Sequence, residues 1–406
     1  MPGGWHGVAA VPPAPPAMST RAIIALGIGQ CVNWGVLYYA FAILLLPLEA
    51  ALGLPRWAVA GAFSIALLVS AVVAPIVGRW SDRGRAPAVM LAGGIGAVVL
   101  LLAWALFPGR AMLYVAWAGL GLCMASTLYE PAFAIVGRAH AEPAGRLRAL
   151  ALVTLCGGLA STVFLPTTAW FVRAFDWRIA VVALAVAMGA SAWLTLAATA
   201  SVRGDAHPAA EPLAQPAART GVRDVPHLRF LLVAFGFTSL AGAAVIANLV
   251  PAAVERQLTP TLAASLGGTF GVMQLPGRAF MMRGGASGSP FGLLAASLVL
   301  QAVGLAGWAL APGAVAAMAG LMTFALGAGL STLVRPFLVQ TVLARYGPGY
   351  VNGRVAQAQQ LARAAGPVLI AWAAYHISYA TLLALLAGVY AVLAALALAR
   401  TSAPAS

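Results

Sequence analysis

Pro75-Ile-Val-Gly-Arg-Trp-Ser-Asp-Arg-Gly-Arg85 separates two long apolar runs of the sequence. Only 8% of the whole chain is charged, yet four charged side chains fall within seven residues of this stretch. They are Arg79, Asp82, Arg83 and Arg85. Both flanking runs are long enough to cross a bilayer, which needs about 20 apolar residues per helix. We therefore expect a short charged turn at a membrane surface, between two membrane-spanning helices.

The composition of the chain places most of it in lipid. Of its 406 residues 62% are hydrophobic, and the mean hydropathy is +0.94, far above that of water-soluble globular domains. The net charge of +14 is scattered between the apolar runs rather than clustered on one face. No nucleic-acid partner is therefore expected.

The lack of lysine in the sequence restricts the chemistry that the chain can perform. All 23 basic residues are arginine, which excludes a Walker-type P-loop and Schiff-base catalysis, since both need lysine. Cys31, Cys123 and Cys156 lie in apolar segments without metal-ligand or disulfide spacing, as small buried hydrophobic residues do. We expect no enzyme activity, no metal and no cofactor.

Twelve segments of the sequence are predicted to span the membrane. Residues 1–20, rich in Pro and Ala, are expected to form a disordered tail. Residues 201–227 carry four prolines and link an N-terminal bundle, 21–200, to a C-terminal bundle, 228–400, which a short tail, 401–406, follows. The twelve segments are approximately 22–48, 57–78, 87–107, 111–137, 146–171, 177–199, 228–253, 261–277, 289–310, 314–343, 354–376 and 378–399.

The arginines predict the orientation of the chain. When the N-terminus is placed in the cytoplasm, sixteen arginines fall in cytoplasmic segments, five in outer loops, and two, Arg335 and Arg363, inside helices. Cytoplasmic loops of membrane proteins carry an excess of basic residues. Both termini are therefore expected in the cytoplasm, and Arg278 is expected in a cytoplasmic loop.

The two halves of the chain repeat each other at an offset near 200 residues. Ser126-Thr-Leu-Tyr-Glu-Pro131 in the fourth segment matches Ser331-Thr-Leu-Val-Arg-Pro336 in the tenth, offset by 205. A duplicated unit of six helices is therefore expected. Two shorter matches are Gly145-Arg146 with Gly353-Arg354, offset by 208, and Gly78-Arg79 with Gly277-Arg278, offset by 199.

The charged stretch resembles the signature that the major facilitator superfamily carries between its second and third helices, Gly-x-x-x-Asp-Arg-x-Gly-Arg-Arg. One residue is missing between Arg83 and Gly84, and Ala86 replaces the last basic residue. With the repeat, the resemblance covers residues 21–400. It implies an all-α membrane fold of twelve helices in two pseudo-symmetric bundles of six, with a substrate site between them. The matching residues are Gly78, Asp82, Arg83, Gly84 and Arg85.

The resemblance also implies a function, a location and partners. Members of this superfamily are secondary transporters that alternate access between the two sides of a membrane. The expected partners are a small-molecule substrate and the lipid bilayer, and the chain is expected to be a monomer in a bacterial inner membrane. In character it is most similar to the oxalate/formate and monocarboxylate branches, in which a cationic residue of helix 8 or 11 faces the substrate.

Asp82 is predicted to make a contact that closes the cytoplasmic side. Gly78 and Gly84 permit a tight turn, and a carboxylate is favourable at the N-terminus of a helix. The resemblance implies that this helix is the eleventh, near Gly353-Arg354. The alternative is a charged loop that only sets the topology.

Glu130 and Arg335 are functional candidates because ionisable residues inside a membrane are costly. Glu130 lies about 19 residues along its helix, roughly 10 Å beyond the midplane. It either joins a gate, by pairing with Arg79, Arg83 or Arg138, or carries a proton or contacts substrate. Arg335 either pairs with Glu130 or binds an anionic substrate. The residues assigned to gating or coupling are Gly78, Asp82, Arg83, Gly84, Arg85, Glu130 and Arg138.

Arg363 is expected near the midplane, about 13 Å along the eleventh segment from Arg354. A guanidinium at that depth requires a carboxylate, and no acidic residue is predicted there, so an anionic substrate would supply it. The alternative is a structural role with backbone carbonyls or neighbouring glutamines. The residues assigned to substrate binding are Arg363, Arg335, Gln359 and Gln360, together with Asn33, Tyr38 and Asn248 from segments that line the cavity in the superfamily.

The sequence thus favours a transporter for a small, monocarboxylate-like organic anion, coupled to protons or to anion exchange. The first alternative is an efflux pump for drugs or neutral metabolites on the same fold. A membrane-embedded enzyme or a non-transporting sensor is the remote alternative. Neither a metal-binding pair of histidines nor a nucleophile motif in the sequence supports an enzyme.

Overall fold

The computed structural model describes seven stretches of the chain. All regular structure in them is helical, without strands among the described residues. Asn248, residues 1–17 and most of the predicted linker lie outside them. The described residues are 18–140, 142–204, 225–247, 249–256, 270–282, 289–373 and 376–401.

The described helices form twelve consecutive units, α1 to α12. Ten of these are long and apolar enough to cross a bilayer. The other two are α8, which is described over eight residues, and α11, which has 26 residues but is more polar. The bounds are α1 Thr20–Trp34, Gly35–Tyr39 and Ala40–Leu52; α2 Arg56–Asp82; α3 Ala86–Leu106; α4 Arg110–Thr127 and Tyr129–Ala139; α5 Pro143–Gly158 and Ala160–Ala174; α6 Trp177–Gly204; α7 Leu228–Ala247 and Leu249–Glu255; α8 Leu275–Met282; α9 Pro290–Leu310; α10 Ala314–Val342; α11 Pro348–Ala373; and α12 Tyr379–Ala399.

Several predicted boundaries shift, and three of them have a local explanation or cross a predicted domain limit. α1 begins at Thr20, inside the predicted tail, because the hydroxyl of Ser19 accepts a hydrogen bond from the Ala22 amide and caps the helix. α6 ends at Gly204, inside the predicted linker. α11 begins at Pro348, before the predicted start of its segment, since proline is favourable at the first position of a helix.

The two halves share an apolar core on one side of the molecule. Successive helices alternate in direction, so α1 begins and α12 ends on the same face, which we name the terminal face; the opposite one is the far face. Phe133 and Leu150 of the first half belong to one continuous core with Leu338 of the second. Towards the far face, the first half has a separate core around Phe41 and Trp117. The halves are therefore packed together on the terminal side.

α4 is broken at Leu128, whereas α10 is continuous through the equivalent residues. In α4, Pro131 has no N–H for the carbonyl of Thr127, and its ring collides with that carbonyl in a regular helix. Leu128 accordingly has an extended backbone, with ψ of −164°. Pro336 occupies the matching place in α10 without breaking the helix. Proline at this position is thus not sufficient for a break.

The structure supports one register of the internal repeat. α5 and α11 begin at Pro143 and Pro348, which are 205 residues apart, as are the matched motifs of α4 and α10. Gly145-Arg146 lies in the first turn of α5, whereas Gly353-Arg354 lies in the second turn of α11. The match at an offset of 208 therefore pairs different turns.

The match of Gly78-Arg79 with Gly277-Arg278 does not hold in three dimensions. Gly78 packs against the backbone of Gly349, where α11 begins. Gly277 packs instead against the backbone of Leu326 and Leu330, in the middle of α10. Arg278 is only 5% exposed, so the expectation that it lies in a cytoplasmic loop is wrong.

Candidate functional site

Asp82, at the end of α2, caps the first turn of α11 in the other half. Its Oδ1 accepts a hydrogen bond from the Gly349 amide at 2.6 Å, and its Oδ2 accepts one from the Tyr350 amide at 2.7 Å. α11 cannot cap itself, because Gly347 has no side chain and Pro348 has no N–H. The contact lies one turn before the position that the sequence predicted.

Glycines allow the two backbones to approach each other at this contact. A Cβ on Gly78 would collide with the carbonyl of Gly349, and a Cβ on Gly349 would collide with the carbonyl of Gly78. The Cα–H surfaces of the two helices therefore touch directly. Any larger residue at either position would push Asp82 away from the amides that it caps.

The turn that follows Asp82 has positive charge around it. Gly84 has a φ of +80°, which favours glycine. Arg138 of α4 lies against Gly84 and donates a hydrogen bond to the main-chain carbonyl of Asp82 at 3.4 Å. Arg83 and Arg85 are exposed on the terminal face. Four other predicted gating residues therefore lie around Asp82, namely Arg83, Gly84, Arg85 and Arg138.

Glu130 and Arg335 form an ion pair between the two halves. Arg335 Nη2 donates to Glu130 Oε1 at 3.0 Å, and the side chains of Arg335 and Glu130 are only 6% and 15% exposed. Arg335 Nη1 also donates to Gln359 Oε1 of α11, and its guanidinium lies 5.8 Å from the centre of the Phe133 ring. In the part of the chain that is described, Glu130 has no ion pair with its other predicted partners, Arg79, Arg83 and Arg138.

Two side-chain amides of α1 stabilise the break in α4 by hydrogen bonding to its backbone. Gln30 Nε2 and Asn33 Nδ2 both donate to the carbonyl of Thr127, at 2.7 and 2.9 Å. This is the carbonyl that Pro131 leaves without a helical partner. Asn33 Oδ1 accepts a hydrogen bond from Ser191 Oγ at 2.7 Å, and Asn33 is 2% exposed. The expectation that Asn33 lines a cavity is thus corrected: its amide is used inside the first half.

Arg363 lies in the middle of α11 and is half-buried. Its Nη1 donates to Gln360 Oε1 at 3.1 Å, and its guanidinium lies 5.6 Å from the centre of the Trp34 ring of α1. Gln360 is buried and donates to the Ser70 hydroxyl of α2 at 3.4 Å, which orients its amide. No ion pair of Arg363 occurs among the described residues.

Arg278 of α8 is a third arginine between the halves, a location that hydropathy does not predict. Its Nη1 donates to the carbonyl of Thr154 in α5 at 2.6 Å, and its Nη2 donates to Gln274 Oε1 at 3.1 Å. The guanidinium packs against Gly158, and its Nε is buried without a hydrogen-bond partner. The one indication in the sequence that Arg278 is buried is Gln274, a polar residue one turn earlier that accepts its hydrogen bond.

A row of five aromatic rings runs along the first half beside these arginines. Neighbouring ring centres are 5.1 to 5.5 Å apart. Arg335 lies over Phe133 at one end, and Arg363 lies over Trp34 in the middle. Tyr38 belongs to the π-helical turn of α1, an irregularity that is frequent at functional sites. The aromatic row comprises, in order, Phe133, Tyr129, Trp34, Tyr38 and Phe63.

Comparison with known families decides the class of the protein. The model of the Major Facilitator Superfamily matches residues 26–367. The chain belongs to this superfamily. It is therefore a multi-pass membrane transporter of small molecules with the twelve-helix fold, and not an enzyme. No curated protein matches the sequence.

Solved structures of transporters share the fold over nearly the whole chain. The human organic anion transporter MFSD10 (TETRAN) is 16% identical with a TM-score of 0.71, covering 93% of this chain and 99% of that one. The E. coli fucose:proton symporter FucP is 17% identical with a TM-score of 0.69, covering 92% and 98%. The proton:xylose symporter XylE bound to 6-bromo-6-deoxy-D-glucose is 13% identical with a TM-score of 0.71, covering 94% and 95%. Identities this low relate the folds, not the substrates.

Proposed function

We propose that this superfamily member is a secondary transporter that binds a small, monocarboxylate-like organic anion at Arg363. The observation that carries the proposal is the difference in charge between Arg363 and its surroundings. A guanidinium stays protonated at every physiological pH, and a charge inside a membrane is costly unless it is paired. Among the described residues, Arg363 has an amide oxygen and an aromatic ring beside it but no carboxylate. A substrate carboxylate supplies the missing partner.

The charge balance between the halves supports an anionic substrate. Three arginines, Arg278, Arg335 and Arg363, lie there, and Glu130 is the acidic residue that pairs with one of them. Arg278 is bound by a backbone carbonyl and an amide, which carry no net charge. The region therefore attracts anions and repels cations.

The Asp82 cap supports alternating access. The structure has the terminal side packed through a common core, and the cap lies at its edge. Rocking the halves apart on that side exposes the first amides of α11 and removes two charge-assisted hydrogen bonds. Each is worth roughly 1.5–3 kcal/mol, so the cap favours the state closed at the terminal face. Substrate binding at Arg363, on the same helix, then shifts this balance.

Glu130 is the residue that we propose for coupling. A proton on Glu130 removes its charge and weakens its bond to Arg335, which joins the two halves. Proton coupling predicts that uptake depends on a pH gradient across the membrane, whereas anion exchange predicts that it depends on an anion on the opposite side. The two modes separate in vesicles that contain either a pH gradient or a second anion.

The orientation and location are part of the same proposal. We assign the terminal face to the cytoplasm of a bacterial inner membrane, since the arginines around Asp82 lie on that face. We further propose that the chain works as a monomer. A reporter fused after the last helix, active only in the cytoplasm, tests the orientation.

Uptake by purified protein in lipid vesicles tests the anion assignment. Acetate, lactate and benzoate are each compared with their uncharged amides, in the wild type and in Arg363→Gln. We expect uptake of at least one carboxylate and none of its amide, and a loss on the order of 100-fold in Arg363→Gln, as for removal of a strong charge-assisted bond.

The matched control is Arg173→Gln, since Arg173 is exposed in the last turn of α5 at the far face. It removes the same charge without touching the region between the halves, so uptake should stay within about twofold of wild type. Equal uptake of a carboxylate by wild type and Arg363→Gln would contradict the proposal. Uptake of the amides alone would support the alternative of a transporter for neutral compounds, which the aromatic row favours.

A further inference from the structure

The position of Arg363 over the half-buried part of the aromatic row points to one class of anion. We propose that the substrate is an aromatic carboxylate, whose carboxylate binds Arg363 and whose ring packs on Trp34. This inference rests on the proposed anion transport and names the substrate class of the same site. It also assigns Trp34 as the residue that determines specificity for an aromatic ring.

Trp34 is the wall next to which an anion on Arg363 must lie. The guanidinium carbon is 5.6 Å from the centre of the Trp34 ring, and Nη1 of the same guanidinium donates a hydrogen bond to Gln360. An aromatic carboxylate has its ring attached directly to the carboxyl carbon. A carboxylate that binds Arg363 therefore brings this ring against Trp34, where tilted or edge-on packing is favourable.

The aromatic row is divided into a buried part and a half-buried part at Trp34. Tyr129 and Phe133 are buried, each 7% exposed or less. Trp34, Tyr38 and Phe63 are half-buried. The half-buried part runs from the middle of the molecule towards the far face. Phe63 lies two turns after Arg56, where α2 begins at the far face. It offers partly exposed aromatic surface between the far face and Arg363.

Of the two arginines over the row, Arg335 is neutralised by a carboxylate and Arg363, among the described residues, is not. This difference decides at which arginine the anion binds. Arg335 covers the buried end at Phe133, but Glu130 neutralises it. Arg363 covers Trp34 at the inner end of the half-buried part and has no carboxylate partner among the described residues. A small anion such as acetate satisfies Arg363 and leaves the row uncovered, whereas an aromatic carboxylate satisfies both.

Competition against the binding of radiolabelled benzoate to the protein in lipid nanodiscs tests the inference. The competitors are cyclohexanecarboxylate, which has a similar size but no aromatic ring, acetate, and benzamide, which has the ring but no charge. In the wild type we expect benzoate to bind about three- to tenfold more tightly than cyclohexanecarboxylate. We expect acetate to be weaker by more than about tenfold and benzamide not to compete.

Variants of Trp34 separate its role in specificity from a role in folding. Trp34→Leu should bring the benzoate and cyclohexanecarboxylate affinities to within about twofold of each other, because the ring contact is lost. Trp34→Phe keeps a ring and should restore the preference for benzoate. The control is Trp193→Leu, since Trp193 is 65% exposed on α6 and should leave the preference unchanged.

The failure of this inference is distinguishable from the failure of the proposed function. Equal affinities of the wild type for benzoate and cyclohexanecarboxylate, or a preference that survives in Trp34→Leu, would overturn the aromatic assignment. If acetate or lactate then still bound in a way that required Arg363, anion transport would stand without it. Competition by benzamide as strong as that by benzoate would overturn both.

Discussion

α10 and α11 each carry one arginine between the halves, and the two differ in what neutralises them. Arg335 of α10 has a carboxylate, an amide oxygen and an aromatic ring around it. Arg363 of α11 has an amide oxygen and an aromatic ring, without the carboxylate. The same side chain therefore has a counter-charge in one helix and none among the described residues in the other.

The difference shows that two arginines between the halves can differ in charge balance because their neighbours differ. Gln359 and Gln360, neighbours in sequence, accept a hydrogen bond from Arg335 and Arg363, respectively. Each guanidinium is thus oriented by the side-chain oxygen of a glutamine in α11. The ligand-binding role that we propose for Arg363 rests on the lack of a carboxylate partner among the described residues, and changes in either environment test this comparison.

The largest effect is expected when Arg335 is deprived of its carboxylate. Glu130→Gln leaves a guanidinium that is 6% exposed without a counter-charge, which typically costs about 3–5 kcal/mol. We expect a matching loss of stability in thermal unfolding, and a weak gain of anion binding at Arg335. Glu130→Gln combined with Arg335→Gln should recover most of the stability, because no unpaired charge remains. A single variant as stable as the wild type would show that the pair is not needed.

A smaller effect is expected at the start of α11. Asp82→Asn keeps the size of the side chain but removes its charge and one acceptor, so the cap should weaken by roughly 1–3 kcal/mol. Ser81, 1% exposed in the closed state, reports on opening when it is replaced by cysteine in a background that lacks Cys31, Cys123 and Cys156. Maleimide should label Ser81→Cys on the order of ten times faster with Asp82→Asn. Equal labelling rates would show that the cap does not hold the terminal side closed.

The amide that orients Arg363 should matter more for binding than its neighbour. Gln360→Leu removes the oxygen that accepts from Arg363, so carboxylate affinity should fall about fivefold as the guanidinium loses its fixed orientation. Gln359→Leu affects Arg335 instead and should leave carboxylate affinity within about twofold. Isothermal titration of both variants with the same carboxylate measures this difference. The reverse order would contradict the assignment of the two glutamines.

The smallest effect is expected inside the first half. Asn33→Leu leaves the Thr127 carbonyl with Gln30 alone and should cost about 1 kcal/mol of stability. In combination with Pro131→Ala, which restores an N–H for that carbonyl, the loss should shrink. Thermal unfolding of the two variants checks this prediction. Equal losses of stability would show that Pro131 is not the cause of the break in α4.

Much of this arrangement is readable from the sequence, because hydropathy and spacing encode it. Ten of the twelve helices are recognisable from their apolar length, and the offset of 205 places Glu130 and Arg335 in the same register. The location of Arg363 within α11, about 13 Å along the helix from Arg354, follows from the rise of a helix. These features depend on residues close together in sequence or on exact repetition.

The remaining features depend on contacts between distant residues. The break at Leu128 depends on amides of α1 more than 90 positions away, and the same proline leaves α10 intact. Arg278 lies between the halves rather than in a loop because α8 packs on α5 and α10, which hydropathy does not report. The burial of Asn33 is equally hard to read from the sequence, since its partner Ser191 is on α6, 158 positions away.

The most direct test of the account removes one arginine at a time from the region between the halves without leaving an unpaired charge. Carboxylate binding is measured for Arg363→Gln and for the double variant Glu130→Gln/Arg335→Gln, both in lipid nanodiscs. The account predicts that Arg363→Gln loses affinity on the order of 100-fold, and that the double variant stays within about threefold of the wild type. Full affinity in Arg363→Gln, with the loss in the double variant instead, would contradict it.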